Sequence, residues 1–243
     1  MAETAYARRL ALPDSEVSNP PRHSVLVRVT HWFTAIAFFG LLVSGAAILL
    51  AHPRLYWGET GGLGSPSLVD LPLPFVLNVP IRGPGRYLHF LSAWVCVLTG
   101  LVYVVSGAFT LHFGKNLLPA KTDLAWSSVW RVMSNHLHFR RPTQEEEQTY
   151  NVLQRMTYLI VIFVLFPLAI STGLAMSPAV TSVFPAIVNA FGGQQSARTI
   201  HFFLASLLVL FLVVHVAMVC LAGFTTRVRS MISGRVATRK ERI

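Results

Sequence analysis

Four stretches of this chain, near Val29 to Ala51, Tyr87 to Thr110, Met156 to Met176 and Ile200 to Gly223, are apolar for the length of a membrane crossing. A hydrocarbon core about 30 Å thick takes a helix of about 20 residues. Only a helix or a closed barrel satisfies its own backbone hydrogen bonds there. The remaining composition agrees, at 53% hydrophobic and 12% charged, which excludes an ordinary water-soluble domain. The expected fold class is therefore an all-α membrane protein, a four-helix transmembrane bundle.

The basic residues set the expected orientation. Arg8, Arg9, Arg22 and Arg28 precede helix 1, and Lys115, Lys121, Arg131, Arg140, Arg141 and Arg155 lie between helices 2 and 3. Six more Lys or Arg follow helix 4, whereas only Arg54, Arg82, Arg86 and Arg198 fall on the other side. Cytoplasmic loops carry the excess of Lys and Arg, so both termini are expected in the cytoplasm. The net charge of +10 is then topological and no nucleic-acid footprint. The C-terminal run "RVRSMISGRVATRKER" is suited to anionic lipid headgroups.

The chain divides into a cytoplasmic leader over 1–28, a bundle over 29–223 and a basic tail over 224–243. The first helix follows a long polar leader and lacks a small-residue cleavage site, so the N-terminus is read as retained. No sequence repeat and no second soluble domain is evident, which leaves any soluble catalytic module to a separate polypeptide. The outer loop, 52–86, is rich in Gly and Pro and disfavours regular structure. The inner connection, 111–155, contains "LAWSSVWRVMSNHLHF", a candidate interfacial segment, and "EEE" at 145–147, which fits the first turn of a helix beginning near Thr143. Cys96 and Cys220 lie within helices and form no CxxC pair, which argues against zinc, a ligated iron–sulfur cluster and covalent c-type haem. Both read as small packing residues.

Nine histidines are present, and four of them, His31, His89, His201 and His215, sit inside the spans. A polar residue at membrane depth is costly and marks function by default. His201 and His215 are 14 residues apart on helix 4, so at ~1.5 Å per residue they differ by about 21 Å in depth. At roughly 100° per residue they face the same side. Helix 1 starts inside, while helices 2 and 4 start outside. His31 therefore meets the depth of His215, and His89 that of His201. Two opposed imidazoles in apolar and aromatic surroundings suit bis-histidine haem iron, so the bundle is expected to enclose two b-type haems. The spans contain no Asp or Glu, which counts against a proton pump.

The sequences "RVTH", "RYLH" and "RTIH" place Arg28, Arg86 and Arg198 three residues before His31, His89 and His201. Each arginine shares its histidine's face about one turn nearer water. Two readings fit: guanidiniums paired with haem propionates, or snorkelling interfacial anchors. Gly40, Ser44, Gly45, Gly100, Gly107 and Gly173 either let a flat macrocycle approach the backbone or serve ordinary helix packing. Pro167 is expected to kink helix 3.

The histidine pattern resembles the bacterial cytochrome b561 superfamily, which includes hydrogenase cytochrome b and formate dehydrogenase gamma subunits. "VTHWF", "HPRLYWGETG", "YNVLQR", "GLAMSP" and "GGQQSARTIHF" are similar to the thiosulfate reductase cytochrome b subunit group within it. The resemblance covers residues 22 to 235. It implies two haem b groups, the inner on His31 and His215 and the outer on His89 and His201. It also implies electron exchange between the quinone pool and a periplasmic oxidoreductase, often molybdopterin-dependent, in the bacterial inner membrane. Formate dehydrogenase gamma subunits carry "YNxGQK" at a quinone site. Here Asn151 and Gln154 stand at its polar positions, with Leu153 in place of the glycine. The pair either hydrogen-bonds a quinone or solvates the helix entrance.

The expected function is a diheme cytochrome b subunit carrying electrons between quinone or quinol and an outer partner. A stand-alone oxidoreductase whose outer haem meets a small species such as superoxide is a rival, as is a haem-binding sensor or assembly protein. Expected partners are the periplasmic subunit, quinone, membrane lipid and a second copy of the chain in a homo-oligomer. Tyr56, Trp57, Glu59 and Asp70 in the outer loop are either partner contacts or a cover over the outer haem edge.

Overall fold

The computed structural model describes residues 24–62, 64–71, 84–111, 113–114, 118 and 152–234. Four helices are long and apolar enough to cross a membrane: Val25–Ala51, Gly85–Phe109, Leu153–Ala175 and Gln194–Leu221. Each starts two to six residues before its sequence-expected bound.

The first span is α1 (Val25–Ala51), opened by Ser24, whose hydroxyl accepts from the Val27 N–H at 3.3 Å. It ends at His52, whose N–H reaches back to the Ile48 and Leu49 carbonyls. The second is α2 (Pro84–Phe109). The third is built of α3 (Val152–Ile160), a π-helical turn (Val161–Leu165) and α4 (Phe166–Ala175). Short helices α5 (Pro178–Thr181) and α6 (Ala186–Ala190) lead into the fourth span, α7 (Gln194–Leu221). A basic helix, α8 (Phe224–Ser233), follows.

The π turn has a local cause. Pro167 has no N–H to give, and its ring crowds the carbonyl four residues back. The Phe166 N–H bonds Val161, five residues earlier, so the ladder widens just before the proline. The irregularity expected at Pro167 takes this form.

Packing is inverted relative to a soluble bundle. The buried positions of α1 are Thr30, Ala37 and Ser44, seven residues apart, while Phe33, Ile36, Phe39 and Val43 point outward. Large apolar side chains gain nothing by leaving lipid, so small residues that let backbones approach take the interior. Gly40 is the sharpest instance: a Cβ there would overlap the Ser92 side chain on α2. Buried hydroxyls bond their own helix, Thr30 to the Leu26 carbonyl at 2.9 Å and Thr172 to Leu168 at 2.8 Å. Cys96 is buried, but Cys220 is exposed, so the packing reading applies to Cys96 alone.

The outer loop departs from the expected irregularity. Strand β1 (Arg54–Leu55) pairs antiparallel with β2 (Val69–Asp70), joined across their faces by an Arg54–Asp70 ion pair at 3.2 Å. Leu55 and Tyr56 are buried, and the next residues fasten to the start of α7. The Gly58 N–H donates to Ser196 Oγ at 2.8 Å, and the Gly58 carbonyl accepts from the Gln195 and Ser196 N–H groups. Thr199 Oγ1 donates to the Tyr56 carbonyl at 2.6 Å. The loop thereby satisfies the orphan donors of a helix start. Trp57 remains exposed.

At the opposite end, Gly223 at φ 95° and Gly234 at φ 77° bound α8. Arg28 Nη1 donates to the Ile232 carbonyl at 2.6 Å and Trp32 Nε1 to Met231 at 3.3 Å. The basic tail therefore begins as a helix tied to the first two turns of α1. The expected interfacial segment, the helix start near Thr143 and Asn151 lie outside the described residues.

Candidate functional site

The bundle brings the four histidines together as two cross-helix pairs. His31 on α1 faces His215 on α7 with ring centroids 6.4 Å apart and planes at 51°. His89 on α2 faces His201 on α7 at 6.3 Å and 66°. All four are half-buried. The first pair lies at the tail end of the bundle, beside α8, and the second at the loop end.

Two imidazoles at this separation cannot hydrogen-bond each other. A metal–imidazole bond is about 2.0 Å, and roughly another 1.1 Å reaches each ring centroid, so a shared metal puts the centroids about 6.2 Å apart. Among the described residues no cluster of three or more His, Cys, Asp or Glu is placed to hold a metal ion. A haem macrocycle fills four positions of its iron and leaves two for protein imidazoles, and a pair at this separation fits that need. The surroundings fit one. Nothing lies within 4 Å of where a Cβ on Gly100 would stand. Trp32 meets His31 edge-on at 5.4 Å, and Phe211 stacks on His215 at 5.7 Å.

The loop-end pair has its tautomer fixed. Ser44 Oγ lies 3.0 Å from His89 Nδ1 and 2.6 Å from the Gly40 carbonyl. The carbonyl takes the hydroxyl proton, so Nδ1 must be the donor. Thr172 Oγ1 stands likewise 3.0 Å from His201 Nδ1 and donates to Leu168. With Nδ1 protonated, Nε2 carries the lone pair that a metal needs.

The arginines are partly committed. Arg198 Nη2 donates to the His52 carbonyl at the end of α1, and Arg28 holds Ile232. Arg28 Nε is buried with no acceptor among the described residues. Arg86 is exposed. Gln154 sits on α3, one turn before Tyr158. Tyr158 meets Phe211 at 6.3 Å, and Phe211 stacks on His215. A line of rings thus runs from Tyr158 to the tail-end pair.

Sequence reasoning counted Ser44 and Gly173 only as small residues and passed over Thr172 and Phe211. The dipeptides Ser44-Gly45 and Thr172-Gly173 have a counterpart in Ser106-Gly107 of the second span, so the pattern does not single them out.

Four membrane helices carrying two bracketing histidine pairs define a membrane cytochrome of the b type. Residues 22–234 match the sequence profile of the family described as prokaryotic cytochrome b561. The chain belongs to that family: it is a multi-pass membrane cytochrome of the b type, which binds haem and carries electrons. It is 29% identical over 203 residues to a protein of Azospira oryzae named "Putative protein-methionine-sulfoxide reductase subunit YedZ1". That match covers 84% of this chain and 92% of the relative. No solved structure matches the chain.

Proposed function

We propose that the chain holds two haem b groups, the tail-end one on His31 and His215 and the loop-end one on His89 and His201, and carries electrons across the membrane. The observation that carries this reading is the repeated separation, 6.4 and 6.3 Å, at two depths of one bundle. Bound there, haem would supply one-electron redox chemistry. The protein's own contribution is to orient the imidazoles, exclude water with Trp32 and Phe211, and keep Nε2 unprotonated at the loop end.

With the tail end facing the cytoplasm, the side the Lys and Arg excess favours, the loop end faces the periplasm. Quinone or quinol meets the tail-end pair beside Gln154, with Asn151 as its second polar contact. The Tyr158–Phe211–His215 line of rings, with Gln154 one turn before Tyr158, supports this. Arg28, Arg86 and Arg198 pair with haem propionates; the unaccepted Arg28 Nε one turn from His31 supports the first. At the loop end the electron acceptor is a periplasmic, molybdopterin-dependent reductase that docks on the loop. The relative's printed name and the resemblance to thiosulfate reductase subunits both favour a sulfur-containing substrate for that partner.

The test is haem-to-protein stoichiometry with reduced-minus-oxidised spectra on wild type, His89→Ala and His215→Ala. Two b haems in the wild type with one missing from each variant is the expected result. A wild type with one haem, or a variant that keeps both, overturns the pairing. Reduction of the haems by quinol tests the quinone link, and retention of a periplasmic subunit on the purified protein tests the partner.

A further inference from the structure

The two odd-numbered spans address the loop-end pair in the same way, though they share no sequence repeat. On α1, the carbonyl of Leu41, the hydroxyl of Ser44 and the open face of Gly45 all meet His89 of α2. On α4, the carbonyl of Ala169, the hydroxyl of Thr172 and the open face of Gly173 meet His201 of α7. The spacing is the same in both: a carbonyl three residues before the hydroxyl and a glycine one after. A Cβ on either glycine would stand 3.7 Å from His89 Cε1 or 3.5 Å from His201 Cε1, so the Nδ1–Cε1 edge of each ring approaches its helix closely. Ser44 is 1% exposed and Thr172 0%, which leaves water no access to either contact.

Among the described residues no such hydroxyl is seen at His31 of the tail-end pair. His31 Nδ1 is buried and has no hydrogen-bond partner among the described residues.

Resting on the haem-ligand reading above, we propose that Ser44 and Thr172 are positioning residues for the loop-end haem: they fix its two imidazoles in orientation and lower its midpoint potential. A ring that donates its Nδ1 proton gains electron density at Nε2, making it a more basic ligand. A more basic axial ligand favours the oxidised iron and so depresses the potential. The hydroxyl protons are directed at carbonyls of their own helices, Gly40 at 2.6 Å and Leu168 at 2.8 Å, so each hydroxyl presents a lone pair to its imidazole. The family's ligand histidines specify where the haem sits; these hydroxyls specify how one of the two differs from the other.

The experiment is an optical and electron-paramagnetic-resonance redox titration of the full-length chain as wild type, Ser44→Ala, Thr172→Val and the double variant. The loop-end signals are those absent from His89→Ala. Thr172→Val keeps the side chain's shape, and Thr172→Ser restores the hydroxyl. Expected are two haems in every variant, an upward shift of the loop-end midpoint in each single variant and a larger one in the double, altered low-spin g values for that haem alone, and wild-type behaviour in Thr172→Ser. Selective loss of the loop-end haem, recovered in Thr172→Ser, also supports the assignment. An unmoved loop-end midpoint, or equal shifts of both haems, overturns it while leaving the ligand reading intact. A wild type without low-spin haem, or His89→Ala retaining both signals, overturns the ligand reading itself.

Discussion

Gly193, at the start of α7, lies so close to Gly58 in the outer loop that a Cβ on Gly193 would overlap the Gly58 carbonyl group. Its φ of 112° is a second obstacle to any side chain. Gly193→Ala should therefore push the loop off the helix at a cost of about 1–3 kcal/mol. Thermal unfolding would register a lower midpoint, and limited proteolysis faster cleavage in the loop, with the haem spectrum retained. Unchanged proteolysis would show that the latch does not hold the loop.

Gly40 and Gly100 ask opposite things of a side chain. Gly40→Val places new atoms in the Ser92 contact, and overpacking of this kind costs about 1–3 kcal/mol. Loss of thermal stability without selective loss of one haem is expected. Gly100→Leu enters open space instead, so the protein should fold normally and retain less haem. Stability and haem content measured side by side on the two variants check the contrast; equal haem content in Gly100→Leu and wild type counts against a macrocycle there.

Arg28→Ala removes the tether to Ile232 and a cation one turn from His31. Loss of positive charge near a redox centre favours its oxidised state, so the tail-end midpoint should fall. Arg198→Ala should lower the loop-end midpoint in the same way. A redox titration of an arginine-to-alanine series that leaves both midpoints and haem retention unchanged would falsify the propionate assignment.

Phe211 touches both Tyr158 and His215, whereas Gln154 is one turn from Tyr158. Gln154→Ala should raise the KM for quinol about tenfold or less, the worth of one hydrogen bond. Phe211→Ala, which strips the stacked ring from His215, should slow haem reduction with less effect on KM. Stopped-flow reduction by a quinol analogue separates the two.

The Arg54–Asp70 ion pair joins the only two strands among the described residues, but its side chains are 54% and 57% exposed. Exposed pairs contribute about 0–1 kcal/mol. Asp70→Asn should leave the unfolding midpoint within a degree or two, whatever the salt concentration.

The spans and the pairing of the histidines were legible because both follow from periodicity and depth, which are local arithmetic. His31 with His215 and His89 with His201 needed only the rise per residue and the alternating direction of the helices. The hydroxyls of Ser44 and Thr172 were not legible in the same way. A serine or threonine in a membrane helix bonds its own i−4 carbonyl by default, so its sequence signature is the same whether or not a histidine stands beyond it. Tyr56 and the strand pair were hidden for another reason: their partners, Thr199 and Val69, are distant in sequence, and no local pattern announces them.

The π turn at Val161–Leu165 acts as a phase shift in the third span. It inserts about one residue, and each residue turns a helix by roughly 100°. Tyr158 lies before the turn and reaches Phe211; Thr172 lies after it and reaches His201. Both partners sit on α7, so the two halves of the span must be in register with one helix at two heights. Deleting a single residue from the turn would swing one half out of that register, separating either the aromatic line from the tail end or the hydroxyl from the loop end.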